Sequence, residues 1–231
     1  MEKLLSMSTK IARIILSAII IVTLFIRVYR LAQVPVSLYW DETAIAYDAF
    51  SLVSTGQDMH GKSFWQPIFL SYGDYKAPVY IWLTTLTMKV VGEKDLAVRL
   101  PSAIAGTLIV LIAYALVAEV WRKREMGLWV AGALAVMPGE ILFSRTGFEA
   151  HLGLMFILLT VYLWFLAEKK PWVFCLSGLT AAIGVYSYFS VRVVVPLLFI
   201  GFGLLYRKQV LKSWKWVIPG ILLFGLLLIP L

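Results

Sequence analysis

Long apolar runs separated by short charged loops are the main pattern of this chain. A transmembrane helix needs about 20 mainly apolar residues. The pattern therefore predicts about seven transmembrane helices and an all-α integral membrane protein. The runs lie near residues 11–33, 97–120, 127–143, 150–167, 171–188, 193–206 and 216–231.

One further apolar segment, from Ala77 to Val91, decides the predicted topology. It is shorter than a normal span and carries several threonines and Lys89. If this segment lies at the surface and the N-terminus is cytoplasmic, every strongly basic loop falls inside, as membrane proteins favour. If the segment spans, those loops fall outside, so we place it at the outer surface. The basic loops are Arg122-Lys123-Arg124, Lys169-Lys170, and Arg207-Lys208 with Lys212 and Lys215.

This topology predicts a single membrane domain over residues 1–231. Residues 1–34 would form the first span, 35–96 a long extracytoplasmic loop, and 97–231 about six further spans. The basic N-terminus, which includes Lys3, precedes an apolar run without a clear small-residue cleavage site. We therefore interpret the first run as an uncleaved span with a cytoplasmic N-terminus.

The long extracytoplasmic loop is predicted to hold two short amphipathic helices at the membrane surface. The first would cover Glu42–Ser54 and end at Gly56. The second would cover Pro78–Val91 and end at Gly92. Proline in the first turn and glycine after the last turn are typical helix boundaries.

Composition agrees with a membrane protein. The chain of 231 residues is 61% hydrophobic and 15% charged, with a mean hydropathy of +0.87, whereas soluble domains have about 25% charged residues. The net charge of +8 does not indicate a nucleic-acid partner, because the basic residues lie in loops between spans. The single cysteine excludes an intramolecular disulfide and a cysteine-based metal site.

An acidic pair, Asp41-Glu42, follows the first span directly. Carboxylates at a membrane boundary are costly unless they bind or catalyse something. An anionic lipid headgroup needs cationic partners, and group transfer to a hydroxyl or amine needs a carboxylate base. Both kinds of residue gather on the predicted outer face: Asp41, Glu42, Asp48, Asp58, His60, Asp74, Lys76, Arg99, Arg145, Glu149, His151 and Arg192.

Each of these residues also has a purely structural interpretation. Asp41-Glu42 fits the start of a helix, and Lys76 fits a lysine whose charge extends to the interface. Arg145 and Glu149 are close enough in sequence to pair with each other. Simple interfacial anchoring accounts for Arg99, Arg192, His60 and His151.

Several short motifs, in this order and spacing, resemble a known family. The sequence is similar to the polyprenyl-phosphate-sugar-dependent membrane glycosyltransferases of the GT-C superfamily. The similarity is to the branch with protein O-mannosyltransferases and the lipid A aminoarabinose transferase. The motifs are Tyr39-Trp40-Asp41-Glu42, Gly73-Asp74-Tyr75-Lys76-Ala77-Pro78, Gly92 through Val98-Arg99-Leu100-Pro101-Ser102-Ala103, Ser144-Arg145-Thr146-Gly147-Phe148-Glu149-Ala150, and Tyr188-Phe189-Ser190-Val191-Arg192.

The resemblance implies catalytic and substrate-binding roles. Asp41 would be the base or orient the acceptor, and Glu42 would complete the acidic pair. Lys76, with Tyr75, would contact the lipid-linked phosphate, and Glu149 would be the second acidic position. Further substrate-binding residues are expected at Arg99, Arg145, Arg192 and His60. No metal cofactor is expected, and Asp41 with Glu149 would be the ligands if a divalent cation were required.

The resemblance also implies a reaction: transfer of a sugar from a polyprenyl phosphate to a lipid, glycan or protein acceptor, with inversion. It would occur at the extracytoplasmic face of a prokaryotic cell (inner) membrane. The family continues beyond about seven spans, so its C-terminal part is predicted to be missing after Leu231, and Ala77 replaces a proline of the family. Two alternatives remain: a non-catalytic or split-enzyme membrane module, and a lipid-linked sugar transporter or flippase.

Overall fold

Helices form nearly all the regular structure of residues 7–231, which the computed structural model describes. The predicted all-α membrane fold class is confirmed. Residues 1–6, with Lys3, lie outside the described residues. The helices are α1 (Thr9–Val28), α2 (Trp40–Thr55), α3 (Pro78–Val91), α4 (Asp95–Trp121), α5 (Arg124–Val136), α6 (Pro138–Arg145), α7 (Glu149–Leu166), α8 (Val173–Val185), α9 (Val191–Leu205), α10 (Arg207–Lys212) and α11 (Trp214–Leu227).

The helices differ in their capacity to cross a bilayer. Of the described helices, α1, α4 and α7 are long and apolar enough to span, and the bent pair α5–α6 provides a fourth candidate. The apolar helices α8, α9 and α11 have 13 to 15 residues. At 1.5 Å per residue they are about 20 Å long, less than the roughly 30 Å hydrocarbon core. The count of seven spans therefore stays a prediction.

The expected single helix over 127–143 is broken in the structure. Its halves, α5 and α6, meet at an angle of 60° before Pro138. Proline has no N–H for the carbonyl of Leu134, and its ring clashes with the preceding turn. The guanidinium of Arg27, on α1, donates to the carbonyls of Leu134 and Ala135, each at 3.3 Å, and so satisfies the backbone at the break.

The two helices predicted in the long loop are confirmed. The first, α2, begins two residues earlier than expected and ends at Gly56, whose φ of +78° is left-handed. The second, α3, has the predicted bounds, with Pro78 in its first turn and Gly92 after its last residue. Helix α3 packs between α2 and α4, with Tyr80 and Ile81 fully buried.

A short antiparallel hairpin, absent from the sequence prediction, precedes α3. Strand β1 (Phe69–Ser71) pairs with β2 (Asp74–Lys76) through the register Phe69↔Lys76 and Ser71↔Asp74. Gly73, with a φ of +82°, supplies the left-handed residue of the turn. Because side chains alternate along a strand, the hairpin directs Lys76 inward while Tyr75 faces outward.

The main apolar core lies beneath this loop. It joins α2, α3, α4 and α7 through buried residues such as Ile45, Tyr80, Ile109 and Leu152. The hydroxyl of Tyr80 donates to the carbonyl of Val98 at 2.9 Å, which satisfies its polar atom inside the core. This core fixes the ends of these helices relative to the loop, and thereby positions the site described next.

Candidate active site

A cavity of about 270 Å³ opens where four segments meet. These segments are the start of α2, strand β2, the α6–α7 turn and the α8–α9 turn. The walls therefore come from parts of the chain that are distant in sequence but meet at one end of the helices. The lining residues are Tyr39, Asp41, Asp74, Tyr75, Lys76, Gly147, Phe148, Glu149, Tyr188 and Phe189.

Lys76 is the charge centre of this cavity. Its Nζ lies 2.5 Å from Asp41, 3.1 Å from Asp74 and 3.9 Å from Glu149, and its side chain is only 6% exposed. Burial alone would lower the pKa of Lys76, but the hydrogen bond to Asp41 and the nearby Glu149 and Asp74 raise it above its ordinary value. Lys76 therefore carries its positive charge at neutral pH.

Asp41 and Asp74 approach Lys76 from the open side. The side chain of Asp41 is 39% exposed and that of Asp74 is 66% exposed, so both reach solvent. The backbone N–H of Tyr75 and the Lys76 ammonium hold the pKa of Asp74 below its usual value. Asp41 thus combines contact with a cation and access for an incoming molecule, as a catalytic carboxylate requires.

Glu149 forms the deeper wall. It is the first residue of α7, where a carboxylate is favoured by the helix dipole. Its Oε2 is buried and has no hydrogen-bond partner among residues 7–231. A buried carboxylate oxygen without a partner is costly. It therefore indicates a position that a bound molecule could satisfy.

Aromatic rings line the rest of the cavity. Tyr39 stacks on Phe148 with ring centroids 6.0 Å apart. Burial, and then the surrounding carboxylates, raise the pKa of Tyr39, so its hydroxyl remains a neutral hydrogen-bond donor. Tyr188 and Phe189 close the opposite wall. These rings offer aromatic faces that a ring or an apolar chain of a ligand can contact.

Glu42, expected in the acidic pair of the site, does not line the cavity. It is 1% exposed and accepts from the Nε of Arg99 at 2.9 Å and the backbone N–H of Gly147 at 2.7 Å. A Cβ on Gly147 would lie 3.1 Å from the Glu42 Cγ, so the turn packs tightly against the Glu42 side chain. Glu42 therefore ties the start of α2 to α4 and to the α6–α7 turn.

Arg99 likewise has no access to the cavity. It is fully buried, and its guanidinium binds Glu42 with both Nε and Nη2. Its other hydrogen bonds satisfy the irregular chain that leads from α1 to α2. The accepting carbonyls are those of Leu31, Pro35 and Ser37.

Arg145 lies near the cavity but does not line it. Its Nη1 donates to the carbonyl of Ile26 at 2.6 Å, and its Nη2 to that of Val34 at 2.9 Å. The carbonyl of Ile26 is one of the last in α1, which have no partner within the helix. Arg145 thus caps α1 and does not pair with Glu149.

Arg192 and His60 have different surroundings. Arg192 lies 4.4 Å over the ring of Phe189, a wall of the cavity, and its Nε and Nη2 are buried without a partner among the described residues. Arg192 is therefore a cation beside the cavity, and two of its nitrogens have no acceptor among the described residues. His60 lies on the exposed loop before the hairpin and does not line the cavity.

Comparison with known families agrees with the resemblance found in the motifs. The profile of the family described as dolichyl-phosphate-mannose-protein mannosyltransferase matches residues 75–231. The chain belongs to this family. No curated protein matches the chain. The family assigns mannosyltransferase-type glycosyltransferase activity and agrees with an integral membrane protein.

The family match covers most, but not all, of the cavity. It begins at Tyr75 and includes Lys76, Glu149 and Arg192, whereas Asp41 lies before it. Asp41 is therefore assigned to the cavity by its position in the structure, above all by its contact with Lys76. Tyr39 and Phe148 line the cavity but were not predicted as site residues. Both lie inside the motifs given above, so membership of a motif is the sequence feature that could have identified them.

The cavity of this mannosyltransferase-family protein does not fit a divalent cation in the described arrangement. Within residues 7–231, no group of three or more His, Cys, Asp or Glu side chains is placed to hold a metal ion. The ammonium of Lys76 occupies the point on which Asp41, Asp74 and Glu149 converge.

A separate buried network lies behind the site. His151, on α7, pairs through Nε2 with Glu140 of α6 at 3.0 Å, and its Nδ1 lies 3.4 Å from the hydroxyl of Ser102. Ser102 is fully buried and donates to the carbonyl of Phe143, so it is not available as a nucleophile. The network joins α4, α6 and α7 on the inner side of the α6–α7 turn.

Proposed function

We propose that the protein transfers a sugar from a polyprenyl-phosphate donor to an acceptor hydroxyl or amine. The reaction takes place at the extracytoplasmic face of a prokaryotic cell membrane, with the N-terminus in the cytoplasm. The acceptor is a lipid, glycan or protein. The observation that carries this proposal is the Asp41–Lys76 contact in a cavity flanked by Glu149, because it combines a base and a phosphate ligand.

In this mechanism Lys76 binds the donor phosphate. Its ammonium is held charged, and Arg192 beside Phe189 offers a second cation with unused donors. As the phosphate engages Lys76, Asp41 is released from its short contact. The lipid chain follows the apolar helix surfaces. Cationic groups then stabilise the charge that develops on the leaving phosphate.

Asp41 acts as the base. The acceptor oxygen or nitrogen attacks the anomeric carbon, and its proton passes to a carboxylate oxygen of Asp41. The bond between the anomeric carbon and the phosphate oxygen breaks, and polyprenyl phosphate leaves as the monoester. Attack from the face opposite the phosphate inverts the anomeric configuration. No metal ion takes part in this scheme, so chelation with EDTA should leave the rate unchanged.

The test is transfer in membranes supplied with radiolabelled polyprenyl-phosphate mannose. General-base catalysis contributes about 10²–10⁴-fold, so Asp41→Asn should lower the transfer rate by at least about 10²-fold. Glu93→Gln is the matched control, because it removes an exposed carboxylate outside the cavity. Transfer by the Asp41→Asn protein at the wild-type rate would remove Asp41 from the role of base.

One observation favours a second candidate, transport of a lipid-linked sugar. Transporters often combine broken helices with ionisable residues inside the membrane, and here the α5–α6 break lies beside the Glu140–His151 pair. A flux assay with labelled polyprenyl-phosphate mannose in liposomes separates the two. Movement across the bilayer without transfer to any acceptor would favour transport.

A further inference from the structure

A second cavity, of about 460 Å³, lies at the opposite end of the molecule from the Asp41–Lys76 cavity. It is formed by the start of α1, the end of α4, the start of α5 and the end of α7. Helix α7 begins at Glu149 in the first cavity and ends beside the second. Its 18 residues span about 27 Å, close to the thickness of the hydrocarbon core. The two cavities therefore lie at opposite membrane boundaries. We call the second one the basic cavity.

Arg122 is the exposed cation of the basic cavity. Its side chain is 61% exposed, and it approaches Glu119 and Glu168 only at 3.9 and 3.8 Å, beyond hydrogen-bond distance. It follows the end of α4 with a left-handed φ of +56°, which turns it away from the helix. A guanidinium with unused donors is the side chain best suited to bind a phosphate through two parallel hydrogen bonds.

Each of the two acidic residues that line the basic cavity has a hydrogen-bond partner, but only Glu119 is paired with a cation. Glu119 binds Lys169 at 2.7 Å, and Glu125 accepts the backbone N–H of Met7 at 2.8 Å. Arg124, in contrast, has a neutral partner, the hydroxyl of Thr9. Positive charge on Arg122 and Arg124 is therefore left without a carboxylate at hydrogen-bond distance among the described residues.

The surroundings of the basic cavity are those of a lipid boundary. Alanines of α4 and the tyrosines Tyr114 and Tyr162 line it together with the charged residues. Trp121, next to Arg122, is 55% exposed. Tyrosine and tryptophan concentrate at the level of lipid headgroups, and basic pockets between transmembrane helices bind anionic headgroups. A soluble anion has no apolar part that could contact the surface of these helices, whereas a phospholipid has acyl chains.

We propose that the basic cavity binds the phosphate headgroup of an anionic phospholipid from the leaflet opposite the Asp41–Lys76 cavity. Arg122 and Arg124 hold the phosphate, and the tyrosine hydroxyls contact the glycerol. The acyl chains follow the exposed apolar faces of α4. The lipid would brace the ends of α1, α4, α5 and α7 against one another. This site is separate from the transfer reaction and does not depend on it.

Native mass spectrometry of the purified full chain in detergent tests the proposal. Dioleoylphosphatidylglycerol, dioleoylphosphatidylcholine and inorganic phosphate are titrated separately. We expect phosphatidylglycerol to bind at least about fivefold more tightly than phosphatidylcholine, as one basic side chain near a lipid phosphate provides. Inorganic phosphate at millimolar concentration should not displace it.

Variants locate the site. Arg122→Gln should weaken phosphatidylglycerol binding about fivefold. Arg122→Lys keeps the charge but loses the two parallel hydrogen bonds, so it should weaken binding by a smaller factor. Lys212→Gln is the matched control, because it removes one exposed charge from the same side without touching the cavity. Equal loss in Arg122→Gln and Lys212→Gln, or equal binding of both lipids, would overturn the proposal. Displacement by inorganic phosphate would overturn the lipid as the source of the anion.

Discussion

Asp41 and Glu42 are adjacent in the sequence but have opposite surroundings. Asp41 lines an open cavity and contacts Lys76, whereas Glu42 is buried with Arg99 and the Gly147 amide. In a helix, neighbouring side chains point about 100° apart, so one acid faces the cavity and the other faces the core. The sequence alone presents them as one acidic pair, and only packing assigns a separate task to each.

Replacing each acid with its amide should separate these tasks. Glu42→Gln leaves Arg99 as an uncompensated buried charge, which costs about 3–5 kcal/mol in similar pairs. Asp41→Asn changes a partly exposed side chain and should cost less than about 1 kcal/mol. Thermal unfolding of the purified proteins in detergent measures the difference. Equal destabilisation by both changes would contradict the structural role of Glu42.

Asp48, on α2, is a buried carboxylate that should make stability depend on pH. It is fully buried, and its Oδ2 has no partner among the described residues. Burial raises the pKa of Asp48 to about 6, although the N–H of Met59 opposes this. The folded state therefore holds this proton more tightly than the unfolded state does.

The tighter binding of this proton adds to the free energy of unfolding. The contribution is fully present below the unfolded pKa of about 4 and is lost as pH rises through about 6. Asp48→Asn should remove this contribution and flatten the pH dependence between those limits. Thermal unfolding from pH 4 to pH 7.5 measures it, with Glu93→Gln as the exposed control. An unchanged slope in Asp48→Asn would show that Asp48 does not titrate in this range.

Arginines satisfy backbone carbonyls at the helix ends and connections near the Asp41–Lys76 cavity. Arg27 binds the carbonyls left by the Pro138 break, Arg145 binds the end of α1, and Arg99 binds the chain between α1 and α2. In a low-dielectric environment, a carbonyl without a hydrogen bond and a cation without a partner both cost free energy. Each guanidinium therefore stabilises the fold by donating to these carbonyls. These contacts hold the backbone around the cavity without entering it.

A double-mutant cycle tests the cap at the break. Arg27→Met leaves the Leu134 carbonyl without a partner and should destabilise by about 1–3 kcal/mol. Pro138→Ala restores an N–H that can bind this carbonyl, so the cost of Arg27→Met should fall by about 1 kcal/mol in that background. Unfolding midpoints of the four proteins give the coupling. Strict additivity would mean that Arg27 does not cap the break.

Element boundaries were largely predictable from the sequence, whereas the break and the hairpin were not. Proline and glycine mark α3 at both ends, and hydropathy marks α4 and α7. A proline inside an apolar run is compatible with either a kink or a full break, and the outcome depends on the distant Arg27. The hairpin has three residues per strand, too few for alternation to be recognised.

At the scale of the whole molecule, the helices place two cavities at opposite ends. The Asp41–Lys76 cavity lies at the start of α7, and the basic cavity lies at its end. The basic loops cluster with the second cavity, so the positive-inside tendency predicts that the first one lies on the extracytoplasmic face. The candidate residues were predicted from the sequence to lie on one face. The structure separates those that line the cavity from those, such as Glu42 and Arg99, that are buried behind it.

Cysteine labelling in cells tests this orientation. Cys175→Ser removes the single native cysteine, and Lys62→Cys or Lys170→Cys then adds one at an exposed position. A membrane-impermeant maleimide should label position 62 in intact cells, and position 170 only after permeabilisation. The reverse pattern would mean that the chain has the opposite topology.

The most direct test of the donor site is a structure of the protein with polyprenyl phosphate bound. We expect the phosphate inside the Asp41–Lys76 cavity, with an oxygen about 2.8 Å from the Lys76 Nζ, and Asp41 released from its present contact. A phosphate bound elsewhere, with Lys76 still paired to Asp41, would contradict the claim that this cavity is the donor site.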